Sequence, residues 1–150
     1  MIVTLIDEVR TKTIHLLDAT PEDQLLWAPP GTQNHVTWHA GHAVWLADVL
    51  CVVPVTGRSE LLADWSLTFG QDGVPPRMTK SWPSKGELVE HLVRQHARVR
   101  QLVTPLTDDE LARVLSPRSG STLARLIIHG FRDEANHQGE MYLLLKQMKS

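Results

Sequence analysis

Apolar residues recur at three- and four-residue spacing through the C-terminal segment, which is the period of one face of an α-helix. The pattern predicts a long amphipathic helix that begins near Ser121, after a turn from Pro117 to Gly120. Because such a helix is stable only when its apolar face is covered, other helices must pack against it. The face consists of Leu123, Leu126, Ile127, Gly130, Met141, Leu144, Leu145 and Met148.

Asp133 and His137 interrupt this apolar face. Residues four apart on a helix lie one above the other, so the two side chains can converge on one divalent ion. An acid and an imidazole are unfavourable to bury unless something compensates them, and a metal shared with His42 would do so. His129 lies on the same row, but eight residues from His137 amount to ~12 Å of axial rise. We therefore expect His129 to support a ligand or to pack.

Two readings without a metal stand beside this one. His137 alone is equally well explained as a core histidine that is hydrogen-bonded to a carbonyl. Asp133 is alternatively one half of a buried ion pair with Arg94 or Arg98. Glu134 points roughly 100° around the helix from Asp133, so we predict a solvated charge there rather than a general base.

A second periodic segment, from Asn34 to Val53, supplies His42. Asn34 is the expected N-cap, following a Pro-Pro-Gly turn. His35, His39 and His42 repeat at helical spacing, so this helix alone offers more than one candidate ligand. We expect His35 to face solvent in the first turn and His39 to hold a ligand or reach substrate.

The remaining patterns predict an all-α fold, a four-helix bundle with a long connection between helices two and three. The first helix ends before Thr20-Pro21, and the connection runs from Pro54 to Pro83 with aromatic anchors. Capping boxes open the third helix at Ser84 and a short helix at Thr107. The third helix carries His96, which we expect to be a partnered core histidine rather than an extra ligand or base. The anchors are Trp65, Phe69 and Trp82.

Several of these motifs together resemble the DinB/YfiT-like superfamily. The stretch Asn34-His-Val-Thr-Trp-His-Ala-Gly-His42 is similar to the second helix of that superfamily, and the segment from His129 to Glu140 is similar to its C-terminal run of the form H-x-x-x-H-E-x-x-H-x-G-Q. Trp27-Ala-Pro-Pro-Gly31 and the segment from Trp65 to Gly70 also resemble family loops. The resemblance covers most of the chain.

The resemblance implies a four-helix bundle in which one histidine of the second helix and two of the fourth bind a divalent metal. Carried over by position, the ligands are His42, Asp133 and His137, with Asp133 standing where the family usually has histidine. Zinc or nickel is the expected ion, and an aspartate ligand extends the range to iron or manganese. Glu140 replaces the common glutamine.

Composition limits the classes of function. The 150 residues suit one domain, residues 1–150, and the formal net charge of -2 lacks the basic excess of nucleic-acid binders. The single cysteine, Cys51, lies among Leu50, Val52 and Val53 and is predicted to be a packed thiol rather than a nucleophile. Neither a secretory signal nor a run of ~20 apolar residues is apparent, so we expect a cytoplasmic protein without a membrane partner.

Three protein ligands leave a metal position open for water or substrate, which favours a catalytic ion. The resemblance implies a thiol-dependent transferase or a hydrolase, with a small-molecule substrate such as a low-molecular-weight thiol; no catalytic residue is assigned. The alternative is a non-catalytic, metal-stabilised stress-response or dimerisation module, since apolar bundle faces often pair as homodimers. A third reading is a bundle without metal.

Overall fold

The computed structural model describes residues 1–148 and confirms the all-α prediction. Short 3-10 turns at Glu22–Gln24 and Pro76–Met78 and a two-stranded antiparallel ribbon accompany the helices. The helices are α1 (Ile2–Asp18), α2 (Val36–Ala47), α3 (Val53–Thr56), α4 (Ala63–Phe69), α5 (Lys85–Val103), α6 (Asp108–Leu111) and α7 (Leu123–Met148); the strands are β1 (Val114–Ser116) and β2 (Ser121–Thr122).

The four long helices pack around a shared core. α1 lies against α5 and α7, and α2 lies against the same two helices. One apolar cluster joins α1, α2, α5 and α7 near α4, and the other joins them near α3. The run Val36–Thr56 is long and apolar enough to cross a membrane by length and composition, but most of it is buried inside the protein. The run therefore packs within the core that the four long helices share.

Local sequence signals set most of the helix starts. The predicted capping boxes are confirmed: the Glu87 backbone N–H donates to Ser84 Oγ at 3.1 Å, and Thr107 pairs with Glu110 in the same way. The N-cap prediction for α2 was wrong by one residue. His35 is the cap, and its Nδ1 accepts from the Trp38 backbone N–H at 3.1 Å.

The second helix continues past its predicted end through a wide turn. Residues Asp48–Val52 are π-helical, and the chain then runs helically through Pro54 to Thr56. Proline has no N–H and its ring clashes with the carbonyl four residues earlier, so a locally widened turn before Pro54 lets the helix accommodate it. Gly57, with φ 84°, ends the helix in the left-handed conformation.

The long connection between α2 and α5 is partly helical rather than irregular. α4 lies within it and packs against α2. The β ribbon was not predicted: β1 and β2 flank the turn before α7, where Gly120 has φ 65°. Such short strands carry too little alternation to be read from sequence.

A buried ion pair crosses the core between α1 and α7. Arg10 Nε and Nη2 donate to the two carboxylate oxygens of Glu134 at 2.9 and 3.0 Å, and both side chains are at most 1% exposed. Arg10 Nη1 also donates to the Leu92 carbonyl and to Gln95 Oε1 on α5. Thr13 Oγ1 adds a 2.7 Å bond to Glu134. The prediction of a solvated Glu134 was therefore wrong. The helical period of α7 indicates the direction in which Glu134 points, but it does not show that the buried Arg10 of α1 lies opposite it.

We expect Arg10→Met to lower the free energy of unfolding by about 3–5 kcal/mol, because the Glu134 charge would stay buried without its partner. Chemical denaturation of metal-free protein measures this loss. The control is Arg98→Met, which breaks the partly exposed pair with Glu60 and should have a much smaller effect. Equal losses in the two variants would contradict the central role of the buried pair.

Candidate metal centre

Helices α2 and α7 bring three donor groups together, of which His137 alone belongs to the ligand set predicted from sequence. The ligand atoms of His39, His137 and Glu140 all lie within 4.8 Å of one another. His39 Nδ1 is 2.9 Å from His137 Nδ1, and His39 Nε2 is 3.1 Å from Glu140 Oε2. Since 137 and 140 are three apart on α7, both side chains face α2.

The protonation of this group follows from its contacts. A carboxylate oxygen accepts, so His39 Nε2 carries a hydrogen and donates to Glu140. Neutral His39 then has its lone pair on Nδ1, which accepts from the Nδ1–H of His137. The Nε2 lone pair of His137 remains available to a ligand.

The group is buried on one side and open on the other. The His39 side chain is 1% exposed, whereas that of Glu140 is 60% exposed. An ion here would therefore have imidazole nitrogens towards the protein core and a carboxylate at the solvent side. Such a position remains accessible to small molecules.

His42 lies beside the group but is not part of it. Its ring centroid is 4.7 Å from that of His137. Its Nδ1–H donates to the backbone carbonyl of Phe69 at 2.6 Å, which leaves the lone pair on Nε2. The ring is stacked on Trp38 and on Trp45, with centroid distances of 4.5 and 5.2 Å and interplanar angles of 15° and 22°.

Asp133 also lies outside the group. Its Oδ2 is 3.0 Å from Nε2 of His129, one turn earlier on α7. The alternative that Asp133 pairs with Arg94 or Arg98 was wrong, because these arginines pair with Glu90 and Glu60. Desolvation by burial lowers the pKa of both His42 and His137, and the nearby Asp133 charge opposes part of that lowering.

Burial keeps the histidines of the centre neutral. Desolvation, helped by neighbouring histidines, lowers the pKa of His39 to about 3. Desolvation also lowers the pKa of His42 to about 4, against the Phe69 hydrogen bond that raises it, and it lowers the pKa of His137. Neutral imidazole is the form that binds metals, so protons compete little for these nitrogens at neutral pH.

The residues present fit a divalent metal. Two imidazoles and a carboxylate form a donor set that zinc, nickel, iron and manganese accept. Donors bound at ~2.1 Å to a tetrahedral ion lie ~3.4 Å apart, and the ligand atoms of the three residues lie within 4.8 Å of one another. One imidazole offers one nitrogen to an ion, so binding would replace at least one of the two hydrogen bonds that His39 makes to His137 and Glu140.

Other predicted residues have structural roles. His35 was expected at the surface but is 5% exposed, because its ring contacts Trp82 edge-on at 4.5 Å. His96 has a partner, as expected, because its Nε2 is 2.6 Å from Asp7 Oδ1, but its side chain is 21% exposed and so lies at the edge of the core. Cys51 is buried as predicted, and desolvation raises its pKa to about 12.

Sequence reasoning did not select His39 and Glu140 as ligands. A signal existed for each, since His39 lies three residues before His42 and Glu140 three residues after His137. Helical spacing thus placed both on the correct faces. It did not say which of the neighbouring donors would face one another across the two helices.

Comparison with known proteins settles the family. The family model of the DinB superfamily matches residues 5–141. The chain belongs to the DinB superfamily. This confirms the resemblance on which the metal prediction depends.

A solved structure supports the fold of this DinB-superfamily protein. The crystal structure of a conserved protein from Enterococcus faecalis superposes with a TM-score of 0.71, covering 95% of this chain and 92% of that chain at 15% identity. At this identity the likeness concerns the fold alone. No curated protein matches the chain significantly.

We expect metal-free protein to lose stability as the pH falls from about 7 towards 4. Unfolded histidine takes up a proton near its ordinary pKa of 6.5, whereas folded His39 does so only near 3. The unfolded state therefore binds more protons in this window and is favoured by acid. The free energy of unfolding, measured at a series of pH values, should fall less steeply for His39→Phe. Parallel curves for the two proteins would contradict the buried neutral state of His39.

Proposed function

We propose that this DinB-superfamily protein is a metal-dependent enzyme of transferase or hydrolase type, built as a four-helix bundle in a single domain, residues 1–150. The supporting observation is the convergence of His39, His137 and Glu140 from two helices, with one side of the group open. A closed structural site would surround its ion with protein donors.

His137 is common to the observed group and to the ligand set predicted from sequence. We propose His42 as a further donor, because its Nδ1 is engaged by Phe69 and its Nε2 lone pair remains. Asp133 is the alternative carboxylate ligand; it would have to leave His129 to reach an ion. Zinc or nickel suits the imidazole-rich set, and iron or manganese suits a site with more carboxylate.

When bound, such an ion would supply Lewis acidity, lowering the pKa of a small thiol or of water at its open position. The chain's own residues would form the surroundings. Trp38 and Trp45 both stack on His42, which is 6% exposed, and Glu140 brings negative charge to the solvent side. Glu134 takes no part as a base, because Arg10 and Thr13 occupy its carboxylate.

The proposed substrate is a small molecule, in keeping with the family resemblance, and a low-molecular-weight thiol is the first class to test. A net charge of -2 does not favour nucleic acid. We also propose a cytoplasmic location with no membrane partner, since the single helix of membrane-spanning length and composition among residues 1–148 is mostly buried.

A second candidate is a non-catalytic, metal-stabilised dimerisation module. The outer face of α7 supports it, because Tyr142 and Leu143 are 53% and 55% exposed. Large apolar side chains grouped on one helix face are common at homodimer interfaces.

Purified, tag-free wild type should carry or take up close to one divalent ion per chain, measured by inductively coupled plasma mass spectrometry. His137→Ala should lose the ion, because His137 belongs to both proposed ligand sets. The control is His15→Ala, a surface histidine on α1 that should leave the metal content unchanged. A wild type that stays metal-free after incubation with zinc, nickel, iron and manganese would refute the proposal.

Carboxylate variants should identify the acidic ligand. We expect Glu140→Gln to weaken zinc binding by about ten- to a hundredfold while Asp133→Asn has a smaller effect, since only Glu140 lies within the donor group. Isothermal titration calorimetry on metal-free protein gives both affinities. The reverse order would assign the ion to the ligand set predicted from sequence.

An enzyme and a structural module respond differently to small ligands. Cobalt-substituted enzyme should change its visible spectrum when a low-molecular-weight thiol is added, because an open position exchanges its ligand. A structural module should keep its spectrum and mainly lose thermal stability when the ion is chelated. An unchanged spectrum together with a large fall in Tm would therefore favour the second candidate.

A further inference from the structure

Helix α4 ends against the metal centre. The carbonyl of its last residue, Phe69, accepts from His42 Nδ1 at 2.6 Å. A carbonyl oxygen can only accept, so this bond requires the hydrogen on Nδ1 and the lone pair on Nε2. The bond thereby selects one of the two neutral tautomers of His42.

The Phe69 ring packs against α2 at Gly41, in the space that a side chain would otherwise fill. A Cβ atom on Gly41 would lie 2.2, 2.3 and 2.5 Å from three atoms of the Phe69 ring. These separations are far inside van der Waals contact, and Phe69 is only 1% exposed, so its ring has little room to retreat. Glycine at the position before His42 is thus required for α4 to approach this closely.

Further contacts hold α4 and the imidazole in place. Trp65 Nε1 on α4 donates to the Gly41 carbonyl at 3.1 Å, and Trp45 Nε1 on α2 donates to Ser66 Oγ on α4 at 3.1 Å. The Trp65 and Phe69 rings contact each other with centroids 4.8 Å apart. As predicted, Trp65 and Phe69 are anchors of the connection.

We propose that Gly41 and the C-terminal end of α4 position His42 for metal binding, by fixing its tautomer through the Phe69 carbonyl and its plane through Trp38 and Trp45. Histidine ligands generally donate their second ring N–H to a carbonyl or carboxylate, which orients the ring towards the ion. The long connection between α2 and α5, which contains α4, then helps to orient a metal ligand. The inference deepens the proposed function and rests on it for the effect on metal affinity; the tautomer itself is a property of the metal-free protein.

The first test is the tautomer of His42 in metal-free wild type, read from ring-nitrogen chemical shifts of ¹⁵N-histidine-labelled protein by nuclear magnetic resonance. A His42→Gln spectrum assigns the signals. We expect a single form with hydrogen on Nδ1 and an unprotonated Nε2. Hydrogen on Nε2, or a rapidly exchanging mixture, would overturn the proposal whether or not any variant folds.

The second test compares two glycine-to-alanine changes. Gly41→Ala should displace Phe69, so that His42 loses its hydrogen bond to the Phe69 carbonyl and populates both neutral tautomers. Zinc binding should then weaken by about ten- to a hundredfold. The matched control is Gly139→Ala on α7, where a Cβ meets nothing within 4 Å although Glu140 is adjacent. The control should keep the tautomer and bind zinc within about threefold of wild type.

The outcomes separate this inference from the proposed function. If wild type fixes the His42 tautomer and Gly41→Ala releases it, but neither protein binds zinc, the positioning stands and the metal function fails. If wild type binds zinc and Gly41→Ala keeps both tautomer and affinity, the metal function stands and the positioning is refuted. If Gly41→Ala does not fold, the wild-type tautomer decides.

Discussion

The orientation of α7 depends on the buried pair between Arg10 and Glu134. A bidentate guanidinium–carboxylate contact has strict directional requirements, and here it is further bonded to Thr13 and to α5. Rotating α7 about its axis would separate the partners and leave two charges unpaired in the core. The pair therefore specifies which face of α7 meets α1. Because His137 lies three residues after Glu134, about 60° away around the helix, the same constraint turns His137 and Glu140 towards α2.

Much of the fold could be predicted because its signals are local. Capping boxes at Ser84 and Thr107 and the apolar period of α7 depend on residues a few positions apart, and the structure confirms them. The four long helices follow from such patterns. The burial and pairing of Glu134 could not be predicted in this way, since its partner Arg10 lies 124 residues earlier in the chain. The short ribbon and the wide turn before Pro54 likewise depend on tertiary context.

In the candidate site, too, the features set by local spacing could be predicted and those set by contacts between helices could not. Helical spacing identified α2 and α7 as the elements that bring histidines together, and His137 lies in the group that the structure assembles. Asp133 and Glu140 flank His137 on α7, and both have the chemistry of a ligand. The two carboxylates differ in the partner that each contacts. Asp133 pairs with His129 one turn away on the same helix, whereas Glu140 contacts His39 on α2. A period of 3.6 residues cannot rank such partners.

The π-helical turn at Asp48–Val52 has a consequence for how the chain tolerates change. A π turn holds an extra residue relative to an α turn, so it shifts the phase of everything after it by about 100°. Upstream of it, α2 presents His39 and His42 to α7. Cys51 and Val52 of the turn itself belong to the other apolar cluster, and downstream Val55 packs against that cluster. The widened turn thus sets the rotation about the helix axis between the residues that precede it and those that follow it. Insertions or deletions between His42 and Pro54 are consequently constrained by angle as well as by length.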